Sequence, residues 1–79
     1  MTMIQIEQDS ADTIEQARKA IADMATKMRE APNDVNRQQG CVMHCIGYQS
    51  ALVLHGLVSS EVYSQLMNEL WQVRDAALD

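Results

Sequence analysis

Residues 10–32 read SADTIEQARKAIADMATKMREAP and carry the most regular pattern in the chain. Apolar side chains recur there at spacings of three and four residues, as in the a/d seam of a helix that packs against other helices. The seam consists of Ile14, Ala17, Ile21, Met24, Met28 and Ala31. Charged side chains fill the positions between them, so the pattern predicts an amphipathic first helix.

The ends of this helix are marked by residues with known conformational preferences. Asp9 or Ser10 is suited to cap its start, because a short polar side chain accepts a hydrogen bond from the first turn. Pro32 predicts its end, because the residue before a proline is pushed out of the helical region. We therefore expect helix 1 at about residues 10–30.

A second helix is predicted at about residues 34–55, with Asp34 as a cap residue and Gly56 as its left-handed stop. Gly40 weakens the first part, so an alternative is a loop before a helix that starts at Cys41. Two apolar stripes make us expect this helix to be the most buried element. They are Val35, Gln39, Val42, Ile46, Gln49 and Val53, and Cys41, Cys45, Tyr48, Leu52 and His55.

A third helix is predicted at about residues 60–77, with Ser59 or Ser60 as its cap. Its apolar face consists of Val62, Leu66, Leu70, Val73 and Ala77, widened by Met67, Trp71 and Leu78. Residues 1–9 alternate only weakly between polar and apolar side chains, and we expect them to form an extended arm, with a short strand over residues 1–8 as the alternative.

Length and composition favour one all-α domain over residues 1–79, built as a small antiparallel helical hairpin or three-helix unit. The chain has 79 residues, 47% of them apolar, with only three Gly and one Pro, which argues against many tight β turns. A chain this short buries only about 60% of its unfolded surface. Because its three helices have more apolar faces than one small core covers, we expect a homodimer.

The charge balance restricts the possible partners. A net charge of −5 gives no counterion-release affinity for phosphates, so direct nucleic-acid binding is not expected. The sequence has neither a secretory signal pattern nor an apolar run long enough for a membrane span, and membrane binding is not expected. Its two cysteines then indicate reduced thiols and a cytoplasmic protein.

Cys41, His44 and Cys45 form the only cluster of chemically reactive residue types. They could supply two or three ligands from one helical face, with the remainder from another chain, which makes a metal or redox regulator an alternative hypothesis. The C-x2-C spacing of zinc knuckles is missing, and buried cysteines often act as small apolar groups. No phosphate loop, HExxH or paired-carboxylate motif occurs, so we expect neither enzymatic activity nor a cofactor.

The region of about residues 40–72 resembles a helical hairpin of small accessory proteins from lambdoid and related enterobacterial phages. The resemblance rests on Gly47-Tyr48-x-x-Ala51-Leu52-x-x-x-Gly56-Leu57-Val58-Ser59-x-Glu61, followed by Leu66 and Glu69-Leu70. Those proteins are short, acidic and helical, and those with known roles bind and redirect host proteins. The resemblance implies a non-enzymatic protein that acts in the cytoplasm of a bacterial host, and it supplies no catalytic residues.

Two hypotheses about partners follow from these patterns. In the first, a helical surface binds and modulates a host protein. Its candidate contact residues are Met43, Tyr48, Glu61, Tyr63 and Trp71. In the second, the chain is an acidic inhibitor that imitates DNA phosphates and blocks a nucleic-acid enzyme or a host defence complex. The acids that would do so are Glu61, Glu69, Asp75 and Asp79.

Overall fold

The computed structural model describes residues 7–78, which form three α-helices joined by short turns. The helices are α1 (Ala11–Glu30), α2 (Val35–Leu54) and α3 (Ser60–Leu78). No strand occurs in this part of the chain. The predicted all-α class and the three helices are confirmed. None of these helices is long and apolar enough to cross a membrane.

Side-chain caps define where the first two helices begin. Ser10 Oγ accepts a hydrogen bond from Thr13 N at 3.2 Å and caps α1. Asp34 Oδ1 accepts one from Arg37 N at 3.0 Å and caps α2. The second helix therefore starts before Gly40, and the alternative start at Cys41 is wrong. The cap at Asp34 and the burial of Val42 and Cys45 in the core support the helix on both sides of Gly40, a residue of low helix propensity.

The turn between α2 and α3 follows the predicted sequence of stop and cap. Gly56 has a φ of +72°. Leu57 N donates to Leu52 O at 2.9 Å and Gly56 N to Val53 O at 3.2 Å, which together form a Schellman motif. Ser59 Oγ then accepts from Val62 N at 3.2 Å and caps α3. These bonds satisfy backbone groups that the two helix ends would otherwise leave unpaired.

Helix α1 contributes most to the core, and the expectation that helix 2 would be the most buried element is wrong. Its predicted seam is buried from Ala17 to Met28, and Ala25 is buried beside it. Ala17, in this seam, is fully buried. Helix α2 buries fewer residues. The rest of the core consists of Val42, Cys45, Leu52, Val58, Leu66 and Leu70.

Asp9 ties the start of α1 to the turn between α2 and α3. Its backbone N donates to Leu57 O at 2.9 Å, and its carboxylate Oδ1 accepts from Ser59 N at 2.7 Å. Gln8 and Asp9 lie in a turn, and Asp9 has a φ of +60°. The arm predicted for residues 1–9 otherwise falls outside the described residues. A single chain does not test the predicted homodimer, which stays a prediction.

Candidate interaction surface

A groove opens between the first half of α2 and the last turns of α3. Both helices pack against α1 more extensively than against each other, which leaves a space of about 420 Å³ between them. We call this space the α2–α3 groove. It is lined by Met28, Val35, Gln38, Gln39, Val42, Met43, Ile46, Trp71, Arg74 and Leu78. Among the residues that the structure describes, the lining is mostly apolar and includes one charged side chain, Arg74.

Two of the predicted contact residues, Met43 and Trp71, come together in this groove. Met43 is 64% exposed and Trp71 is 37% exposed. The guanidinium of Arg74 lies 4.6 Å from the centroid of the Trp71 ring. Arg74 Nη2 is also 2.7 Å from Asp75 Oδ1. The cation–π contact and this ion pair hold the indole ring beside the groove.

The other three predicted contact residues lie elsewhere on the surface. Tyr48 lines a second groove, between α1 and α2. Tyr63 is half-buried against the core, and its hydroxyl lies 3.2 Å from Ser50 Oγ. Glu61 is exposed in the first turn of α3. The five residues therefore do not form one site, and only Met43 and Trp71 share a surface.

Sequence reasoning missed Arg74 as part of the groove. A signal was present, because Trp71 and Arg74 are three residues apart and therefore neighbours on one helix face. Arginine in that position is suited to stack on an indole. The spacing of Val35 and Leu78 predicts a place on the apolar faces of their helices. Both residues line the groove but are more than half exposed.

The α1–α2 groove holds the Cys41, His44 and Cys45 cluster, together with Lys27 and Arg37. It encloses about 510 Å³. Within residues 7–78, no three His, Cys, Asp or Glu side chains are grouped so that they could hold a metal ion.

The two thiols differ in their surroundings. Cys45 is 3% exposed and belongs to the core, whereas Cys41 is only half-buried. Burial raises the pKa of the Cys45 thiol above its ordinary value, and a hydrogen bond with the Gln49 side chain offsets part of that rise. A protonated, enclosed thiol is a weak ligand and a weak nucleophile. The geometry of this single chain therefore does not favour the metal or redox alternative.

The acids proposed to imitate DNA phosphates do not form a cluster of unpaired negative charges. Glu69 Oε1 lies 3.2 Å from Arg18 Nη2, and Asp75 pairs with Arg74 at 2.7 Å. Asp79 lies outside the described residues. Ion pairing reduces the negative potential that a phosphate mimic needs, so no feature of the described surface favours this hypothesis.

No family model matches the chain, and no curated protein or solved structure matches it.

Proposed function

We propose that the protein is a non-enzymatic accessory protein that binds and modulates another protein by receiving one of its helices in the α2–α3 groove. The observation that carries this proposal is the convergence of Met43 and Trp71 on one apolar groove. Exposed aromatic and methionine side chains next to a groove are the residue types that anchor protein partners. A partner helix would complete a four-helix arrangement.

The groove determines the chemistry of the segment that would fit it. Its α2 wall runs from Val35 to Ile46, a length of about 18 Å at the rise of an α-helix, or about three turns. The partner segment should therefore present apolar side chains at positions i, i+3 or i+4, and i+7. Arg74 is the charged residue of the described lining and is already paired with Asp75, so we expect the groove to select mainly for apolar side chains.

The resemblance of residues 40–72 to phage accessory proteins supports a host protein as the partner and the cytoplasm of a bacterial host as the location. A phage protein of this kind acts by occupying a surface of a host protein, which needs a binding face and no catalytic groups. The hypotheses of an acidic inhibitor and of a metal or redox regulator have no comparable support in the described residues.

The test uses full-length tagged protein to capture partners from a bacterial lysate, with bound proteins identified by mass spectrometry. The informative variants are Trp71→Ala and Tyr48→Ala. They form a matched pair, because Trp71 is 37% exposed in the α2–α3 groove and Tyr48 is 39% exposed in the α1–α2 groove. Each variant removes one exposed aromatic ring.

We expect one stoichiometric partner that is lost with Trp71→Ala and retained with Tyr48→Ala. Truncation of an aromatic anchor at the centre of an interface costs about 2 kcal/mol or more, roughly a thirtyfold loss of affinity. Retention of the partner by Trp71→Ala would show that the α2–α3 groove is not the binding site. The reverse result, with loss only in Tyr48→Ala, would move the site to the α1–α2 groove.

A further inference from the structure

The outward face of α2 has no partner within the described part of the chain. A stripe of five residues follows this face at spacings of three and four, and all five are exposed. They are Gly40, Met43, Gly47, Ala51 and Leu54. Leu54 is 83% exposed. From Gln38 to Ser60 the chain has no Asp, Glu, Lys or Arg, so this solvent-facing stripe is uncharged.

The glycines in this stripe are not explained by the fold of one chain. A Cβ atom added at Gly40 or Gly47 would meet no atom within 4 Å, and neither residue has a positive φ. The packing of α1 and α3 therefore does not require them, although glycine weakens a helix at both positions. A glycine on an exposed helix face does allow another helix to approach closely. This holds in particular when the glycine's own helix carries a bulky side chain one turn away.

We infer that a second copy of this chain covers the face, with the two α2 helices packed antiparallel around a two-fold axis near residue 45. In this register the α2 helices of the two copies overlap along their full length, because Cys45 lies at the middle of Val35–Leu54. Met43 of each copy then falls opposite Gly47 of the other. The exposed Met43 side chain would thus fill the space that the missing Cβ leaves, as a knob fills a hole.

The charge pattern favours a second copy of the chain on this face. Each chain carries −5, but the stripe has no charged residue, so contact through it brings no two acids together. Antiparallel packing also brings Arg37 of one copy to the end where the other presents Glu61, and both residues are exposed.

This inference goes beyond the partner-binding proposal. Met43 belongs to both, but Gly47 lines neither groove, so a Gly47 variant tests the inference separately. Sedimentation equilibrium of the full-length protein at micromolar concentrations tests it. Gly47→Glu places a carboxylate at the centre of the stripe, where an added Cβ meets no atom of its own chain within 4 Å. Gln65→Glu is the matched control, because it adds the same charge at an exposed position of α3.

We expect wild type and Gln65→Glu to sediment as dimers, and Gly47→Glu to associate at least tenfold more weakly with unchanged helicity by circular dichroism. A monomeric wild type would overturn the inference, as would a Gly47→Glu variant that stays fully dimeric. Should Trp71→Ala alone dissociate the dimer, the two copies would meet through the α2–α3 groove and the inference would equally fail.

Cysteine cross-linking tests the register in a way that does not depend on a disruptive variant. Met43→Cys combined with Gly47→Cys should give a disulfide-linked dimer under mild oxidation, because the inferred register brings these two positions together between copies. Within one chain, two helical positions four residues apart are poorly placed for a disulfide. Wild type, which retains Cys41 and Cys45, sets the background. Cross-linking no greater than this background would exclude the register.

Discussion

Helices α1 and α2 have the same length, 20 residues, but divide their side chains between core and solvent in different ways. Helix α1 buries a clean apolar seam, and its outward face is charged, with Glu15, Arg18, Lys19, Asp23, Lys27 and Glu30 all exposed. Helix α2 buries a polar residue, Gln49, and exposes apolar ones, including Met43 and Leu54.

The difference between α1 and α2 separates the residues that the fold of one chain needs from those that it does not need. One chain accounts for the two faces of α1, because the apolar seam packs inward and the charged side chains are solvated. On α2, two glycines and an exposed methionine serve no packing role in the same chain. Features that the monomer leaves unexplained are the ones that indicate partners, and the predictions below test whether the two helices differ in this way.

The largest effect should come from a charge on the α1 seam. Ile21→Asp places a carboxylate at a position that is 3% exposed, with no basic partner in the core. The cost of about 4 kcal/mol or more is comparable to the whole stability of a domain of this size. We expect loss of helical circular dichroism at 25 °C. Ala22→Asp, at an exposed position next in sequence, should remain folded.

The parts of the fold that sequence predicted are those that depend on local chemistry. The seam of α1, the cap at Ser10 and the stop at Gly56 each need only a few neighbouring residues. The α2–α3 groove depends instead on how far α2 and α3 diverge after they pack on α1. Met43 and Trp71 are far apart in sequence, and no periodicity within one helix predicts that they meet.

Burial along α2 was harder to predict because a polar residue lies at its centre. Gln49 is fully buried, and its Nε2 donates to Ala17 O of α1 at 3.0 Å. Gln49 and Cys45 face inward, while Tyr48 and His55, on one of the predicted stripes, are exposed. An apolar pattern carries no information about a single amide that bonds to a backbone carbonyl of another helix.

Gln49 gives the second prediction, on whether this buried amide stabilises the fold. Its Oε1 is buried and has no hydrogen-bond partner among the described residues. Gln49→Met keeps the volume and removes that unpaired atom, so we expect its free energy of unfolding to stay within about 1 kcal/mol of wild type. Gln49→Ala leaves a cavity and should cost about 2–3 kcal/mol. Urea unfolding measures both, and a larger loss in Gln49→Met would mean that the amide bond itself holds α1 and α2 together.

The turn after α2 gives the third prediction. Gly56 is in the left-handed region, with a φ of +72°, so Gly56→Ala should lower the free energy of unfolding by about 1–2 kcal/mol. The added Cβ has open space around it, so the cost comes from the backbone alone. Gly56→Asn, which tolerates this conformation better, should recover part of the loss in thermal unfolding. An equal loss in both variants would mean that the side chain is responsible.

Glycine in the body of α2 should behave in the opposite way. Gly40 is helical and has free space where a Cβ would lie, so Gly40→Ala should raise the free energy of unfolding by about 1 kcal/mol. The measurement requires protein dilute enough to be monomeric, so that any effect on self-association is kept apart. A destabilised Gly40→Ala monomer would show that this glycine serves the fold, and the contrast between α1 and α2 would then be weaker.

The smallest effect is expected on the charged side of α1. Arg18 and Glu69 form an ion pair between α1 and α3, but their side chains are 58% and 40% exposed, so water and salt screen their attraction. Arg18→Ala should therefore cost at most about 0.5 kcal/mol. Lys19→Ala removes an exposed charge from the same face and serves as the control. The difference between the two variants should shrink further in 1 M salt, where the Debye length is only about 3 Å. If Arg18→Ala instead cost several times more than Lys19→Ala at high salt, the outer face of α1 would hold the bundle together, and α1 would share with α2 a surface that its amphipathic pattern does not explain.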